Sequence, residues 1–167
     1  MRVAPLLHAA SGSADRQAVA GDPEPWIKSL TPLYLERVAS FIGQLTEAMT
    51  ALEQWSAAAP LALANHIMMP GDVPSAVRAS ACLMRTDRWH EARAVLERTR
   101  AALAAGVEDP ALELMYARAL ARTGDPARAR TVYSHLERTL PAGHPIHAAA
   151  TAERERLDLH GGARVPS

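Results

Sequence analysis

The chain has 167 residues, 49% of them apolar but only 4% aromatic, with eighteen basic residues balanced by eighteen acidic ones. That length fits one domain with a core that needs no disulfide or metal, and the balanced charge excludes a general electrostatic affinity for nucleic acid or an anionic membrane. Cys82 is the only cysteine, which excludes an intramolecular disulfide and is compatible with a reducing compartment; no apolar run reaches the length of a membrane span.

Residues 1–24 show no helical or strand periodicity and end in Asp22-Pro23-Glu24-Pro25, so they read as a flexible leader. Arg2, the apolar residues 3–10 and Ala18-Val19-Ala20 outline a signal peptide. Its core is too short, Pro5 and His8 interrupt it, and Asp15 and Arg16 stand where such signals are uncharged. The expected location is cytoplasmic.

Periodicity begins at Thr31, a cap residue followed by Pro32. Leu33, Leu35, Val38, Phe41, Ile42, Leu45, Met49, Leu52 and Trp55 recur at steps of three and four, which predicts an amphipathic helix over 31–58. Pro60 is expected to end it, and residues 61–69 to form a short helix before Pro70-Gly71. Asp72 and Pro74 open a predicted helix running to about Thr86, and Trp89 begins another that Gly106 closes. Asp109-Pro110 starts a helix ending at Gly124, and Asp125-Pro126 starts one ending near Leu140. After Pro141-Ala142-Gly143, Pro145 begins a helix over 145–160; residues 161–167 read as a frayed tail. Helix formers dominate and no segment reads as a strand. The predicted class is therefore all-α, with one helical domain over 25–160.

The two middle hairpins, 72–106 and 109–141, repeat. Arg85-Thr86-Asp87-Arg88-Trp89-His90-Glu91-Ala92 aligns with Arg122-Thr123-Gly124-Asp125-Pro126-Ala127-Arg128-Ala129, an offset of 37 residues. Ala92 and Ala129 place a small residue early in each second helix, with Leu96 and Tyr133 four residues on. Ser80 and Ala117 lie twelve residues before those alanines, followed by Leu83 and Leu120. Gly124 marks the turn and Pro141 the end of the unit, while Asp87, Ala104, Ala76 and Glu113 depart from the usual residues. This pattern resembles the tetratricopeptide repeat, whose unit is about 34 residues. The resemblance implies antiparallel helical hairpins stacked as a short right-handed superhelix, with capping helices at both ends and a concave groove lined by first helices. On that groove it places Arg85, Arg118, Arg122, Met84 and Leu114, with Val77, Ala81 and Ala121 on the same face.

Two readings of that face stand side by side. Its arginines can grip a partner's carboxylates through forked hydrogen bonds, or they can pair within the chain with Glu113 or Asp87. The seventeen arginines, against the single Lys28, read mainly as base composition of the source genome and favour the second. Its apolar residues can seat an amphipathic helix, or the helix over 31–58 can bury them. The expected function is a protein-binding adaptor, scaffold or chaperone for an acidic or amphipathic helical segment, without cofactor, metal or catalytic residue. The layout is also similar to small bacterial type III secretion chaperones, and an accessory subunit or small helical enzyme is the alternative of another class.

Other candidates carry less. His144, His147 and His160 lack a carboxylate or thiolate at ligand spacing. Cys82 reads as a core filler. Arg85 and His90 show the Arg-x4-His spacing of a helical ribonuclease family, but a turn separates them. Trp26, Trp55 and Trp89 read as anchors between helices, and residues 153–156 as a solvated charged face. No P-loop, dinucleotide fingerprint or nucleophile elbow is present.

Overall fold

The computed structural model describes residues 32–104 and 107–161. The leader over 1–24, Trp26, Lys28, Thr31, the turn residue Gly106 and the tail beyond 161 lie outside them. The chain divides into two compact units, residues 1–36 and 37–167, and the packing below concerns the second.

Seven helices and no strand make up the described residues: α1 (Pro32–Ala51), α2 (Trp55–Met68), α3 (Val73–Arg85), α4 (Trp89–Ala102), α5 (Pro110–Arg122), α6 (Pro126–Thr139) and α7 (Pro145–Gly161). From α2 onward each helix packs on the next, and α5 also lies against both α3 and α7. None is long and apolar enough to cross a membrane.

Local chemistry sets the helix starts. Asp72, Asp109 and Asp125 each accept a hydrogen bond from the backbone N–H three residues on, at 2.8, 2.9 and 3.2 Å. A proline occupies the first or second position of each of these helices, where its missing N–H costs nothing. These carboxylates satisfy donors that would otherwise be orphaned at the helix N-terminus.

The first part of the domain differs from its predicted form. The expected helix over 31–58 is two helices, broken between Ala51 and Trp55, and Pro60 lies inside α2 rather than ending a helix. The break is a Schellman turn: the Gln54 N–H donates to the Met49 carbonyl at 2.9 Å and the Glu53 N–H to that of Thr50 at 3.0 Å. Glu53 takes the left-handed conformation at φ 56°, a place where glycine is usual. Pro60 removes only the bond to the Ser56 carbonyl, and both residues are exposed, so water can replace the lost partner.

This break exposes a third copy of the repeat. The left-handed turn residues are Glu53, Asp87 and Gly124, with φ of 56°, 61° and 90°. In the two later turns, N–H groups of Arg88 and Asp125 reach back to the carbonyls of Leu83 and Leu120 at 2.8 and 2.9 Å. The fourth residue of each following helix is Ala58, Ala92 or Ala129, all fully buried. Twelve residues earlier stand Thr46, Ser80 and Ala117, fully buried as well. The junctions α1–α2, α3–α4 and α5–α6 thus share one pattern, α3–α4 and α5–α6 pack as hairpins, and α7 follows as a lone helix.

The core runs along the stack. Leu83, Leu96, Leu112, Leu120, Tyr116 and Tyr133 are its largest fully enclosed side chains, each stabilising by roughly 1.5–3 kcal/mol on transfer from water. Cys82 belongs to the same core, and burial pushes its thiol pKa up, which keeps it in the unreactive protonated form.

Two substitutions test this account. Ala92→Trp, placed where no space exists, is expected to lower stability by about 1–3 kcal/mol or more, read by urea denaturation. Glu53→Gly relieves a left-handed glutamate and is expected to raise stability by up to about 1 kcal/mol, whereas Gly124→Ala should lower it by a similar amount.

Candidate functional site

The expected groove face is a row of first helices, α3 and α5, flanked by α7. Val77, Ala81, Arg118 and Ala121 are half-buried along it, while Met84 and Leu114 are buried in the core cluster. Those two therefore serve packing, not an open apolar floor. Arg118 is also engaged: its Nε donates to Glu153 of α7 at 3.1 Å and its Nη1 lies 3.7 Å from the Met115 sulfur. Arg78 of α3 holds Glu47 of α1 in the same manner, with Nη2 at 2.5 Å from the carboxylate. Carboxylate–guanidinium pairs thus tie α3 to α1 and α5 to α7.

Arg85 and Arg122 are different. They are the last residues of α3 and α5, exposed, and placed where cations complement the carbonyl end of a helix. The guanidinium of Arg85 lies over the ring of Trp55 at 4.8 Å, and that of Arg122 over Trp89 at 5.2 Å. Each tryptophan is the first residue of the second helix in the preceding hairpin, so the pair is a repeated device between hairpins. Among the described residues, neither arginine has a carboxylate within ion-pairing distance.

The carboxylates expected to neutralise them have other partners. Glu113, largely buried, accepts from Arg100 Nε at 2.6 Å, while Asp87 accepts from the Trp89 indole N–H at 2.7 Å. The Asp87 bond fixes the ring on which Arg122 rests. An aromatic ring attracts a guanidinium without neutralising its charge. Arg85 and Arg122 can therefore accept a carboxylate without first losing one.

Between α4 and α5 a second aromatic–arginine cluster is internal. Tyr116 is fully buried, with the guanidinium groups of Arg100 at 4.2 Å and Arg128 at 5.5 Å from its ring. Its hydroxyl donates to Glu97 at 3.3 Å, and Glu97 also accepts from Arg93. This network consumes its own charges and locks the second and third hairpins together. The last helix is fastened similarly, through Arg130 to Asp158 at 2.7 Å and Arg154 to Glu137 at 2.9 Å.

The other sequence candidates do not converge. Among the described residues no group of three His, Cys, Asp or Glu side chains could hold a metal ion. His144 accepts from the Ile146 backbone N–H at 3.2 Å as part of the turn before α7. Arg85 ends α3 and His90 is the exposed second residue of α4, so the turn separates them as expected. Sequence reading passed over Trp55 and Trp89 as partners of Arg85 and Arg122, because the partners lie in different hairpins; only the aligned repeat could have brought them together.

Comparison with known protein families, characterised proteins and solved structures gives no match. The chain is defined by its own architecture: an all-helical domain of consecutively packed hairpins.

One polar cost sits inside it. His66 of α2 is buried, and its Nδ1 has no hydrogen-bond partner. Burial and, secondarily, the charge of Arg98 lower its pKa from the ordinary 6.5, partly opposed by Asp72. The unfolded chain therefore takes up a proton near pH 6.5 that the folded chain refuses until lower pH. Between those two pKa values the unfolded state binds more protons, so stability rises with pH. It is expected to fall as pH drops below about 6.5 towards the lower folded value. Denaturant midpoints measured from pH 7.5 to 5 should show this decline, and His66→Gln should flatten it in that interval.

Proposed function

We propose that the three hairpins and α7 stack as a short right-handed superhelix of the tetratricopeptide kind, and that the domain is a protein–protein interaction module. Its partner is an acidic segment, extended or helical, that lies across the ends of the first helices. The equivalent turns, the fully buried alanines at one position of each second helix and the side-by-side contact of α3, α5 and α7 support the architecture. The observation that carries the function is the pair of exposed guanidinium groups, Arg85 and Arg122, held over tryptophan rings with no carboxylate partner among the described residues.

The mechanism is recognition. Stacking limits the freedom of each long arginine side chain before binding, so less entropy is lost when a carboxylate arrives. The repeat sets the spacing between the two cations and hence the register of the acidic residues they accept. Charge-assisted, forked contacts supply orientation, while the half-buried Val77, Ala81 and Ala121 offer apolar contact beside them.

The test is affinity capture of the tagged chain from its native cell extract, read by mass spectrometry and repeated with Arg85→Glu/Arg122→Glu. Both side chains are exposed, so the variant is expected to keep its helicity and thermal midpoint. Recovery of the specific partner should fall by at least about tenfold, and Trp55→Ala/Trp89→Ala should weaken capture in the same direction. Unchanged capture by the arginine variant would refute the basic-edge mechanism.

A further inference from the structure

Each tryptophan of the basic edge brings an acid with it. Glu53 and Asp87 hold the left-handed turn positions two residues before Trp55 and Trp89, and both are exposed. The Asp87 carboxylate accepts the Trp89 indole N–H through Oδ1 at 2.7 Å. The Glu53 carboxylate has no hydrogen bond or ion pair among the described residues. In stacking order the edge therefore reads Glu53, Arg85, Asp87, Arg122, an alternation of acid and cation. Neighbouring charges leave that alternation intact: Arg88 is paired with Glu91, and Asp125 caps α6. The row stops at the third turn, where Gly124 stands in place of the acid and Pro126 in place of the tryptophan.

The fold sets the spacing of this row. Trp89 opens α4 just after Arg85 closes α3 and carries Arg122 over its ring, so both arginines lie on one edge. α3 and α5 pack against each other, which places their axes about 8–10 Å apart, with Asp87 in the turn between the two cations. A helix returns a side chain to the same face every turn of about 5.4 Å, so two turns span about 11 Å. An extended strand does so at about 6.7 and 13 Å. Carboxylates at i and i+7 of a helix thus match the two arginines, and the residue at i+4 comes opposite Asp87.

Building on the partner-binding reading above, we propose that the acidic segment is a helix of mixed charge. Two carboxylates, two turns apart, meet Arg85 and Arg122, and a lysine or arginine between them meets Asp87. The arginines supply attraction and Asp87 supplies selection. A tract of uninterrupted acid sets like charge against Asp87 and Glu53, which disfavours it although it carries more charge of the sign the arginines attract. A basic residue at the middle position meets Oδ2 of Asp87, which has no partner among the described residues and keeps its lone pairs for a donor.

The test is a titration of the isotope-labelled full chain with alanine-based helical peptides, followed to low millimolar peptide through the indole N–H signals of Trp55 and Trp89 in nitrogen–proton correlation spectra. One peptide carries Glu, Lys and Glu at i, i+4 and i+7; the other carries Glu at all three, with helicity matched by circular dichroism. The mixed peptide is expected to bind at least about threefold more tightly than the all-acid one, and Arg85→Glu/Arg122→Glu to abolish both sets of shifts. Asp87→Asn keeps an acceptor for the indole and suits φ 61°, so it removes the charge while retaining the turn; it is expected to erase the preference. Equal or tighter binding of the all-acid peptide to the natural chain would overturn the proposal, as would a preference that survives Asp87→Asn. Arginine-dependent shifts that ignore the middle charge would overturn the mixed-charge pattern and leave the partner-binding reading standing. Absence of arginine-dependent shifts with either peptide would overturn the helical pattern, while capture of the partner by the natural chain and its loss with the arginine variant still decide the wider reading.

Discussion

The structure depends on how closely two helices can approach where a hairpin folds back. At that crossing, the second helix of each hairpin carries an alanine with no solvent exposure: Ala58, Ala92 and Ala129. Nothing larger fits without moving an axis, and moving one axis displaces every helix stacked beyond it. The left-handed residue at the turn sets the direction in which the second helix departs. Because α2 onward packs consecutively, the two constraints fix where each following hairpin begins. The Trp–Arg pairs, the Tyr116 network and the row of ion pairs occupy the positions these crossings leave them.

The turn geometry also explains which parts of the fold were legible in the sequence. Gly124 announces its turn because glycine visits φ > 0 without cost. The aspartate–proline starts of α5 and α6 announce themselves through their capping chemistry, and the aspartate caps of all three helices are seen in the structure. Glu53 announces nothing. A glutamate in the left-handed region costs about 1 kcal/mol, which two packed flanking helices can absorb, so its sequence looks like continuous helix. Pro60 misleads in the opposite sense. Proline in an exposed second turn forfeits one hydrogen bond that water can replace, so it failed to end α2. Together these residues hid the first hairpin, although Ala58 and Thr46 match the pattern that the later two share.

The candidate site was legible only in part, for a related reason. Alignment of the repeat places Arg85 and Arg122 at equivalent positions, and both are exposed. It does not say which arginines are already satisfied, since that depends on contacts between residues far apart in the chain. Arg118 and Arg122 sit one turn apart on α5, yet one is held by Glu153 and the other rests on Trp89. The difference is what the neighbouring helix presents. A carboxylate neutralises the guanidinium and occupies its donors, while an aromatic face positions it without neutralising it. Met84 and Leu114 show the same limit from the apolar side: helical spacing places them on the face, and only the packing of adjacent hairpins shows that they are enclosed.

α1 and α7 present different outer faces. A terminal helix in a repeat array needs an outer face that tolerates water. α7 has one: Glu155 is exposed on it, while Arg154 and Glu153 reach back to Glu137 and Arg118. Leu159, near its end, is a single exposed leucine of a kind that ordinary surfaces carry. On α1, Phe41 and Ala48 are exposed, while Ala39, Gly43 and Thr46 are buried and Leu45 and Met49 half-buried. An isolated exposed leucine needs no explanation, whereas Phe41 stands at the position where α3 and α5 carry the enclosed Ser75 and Leu112.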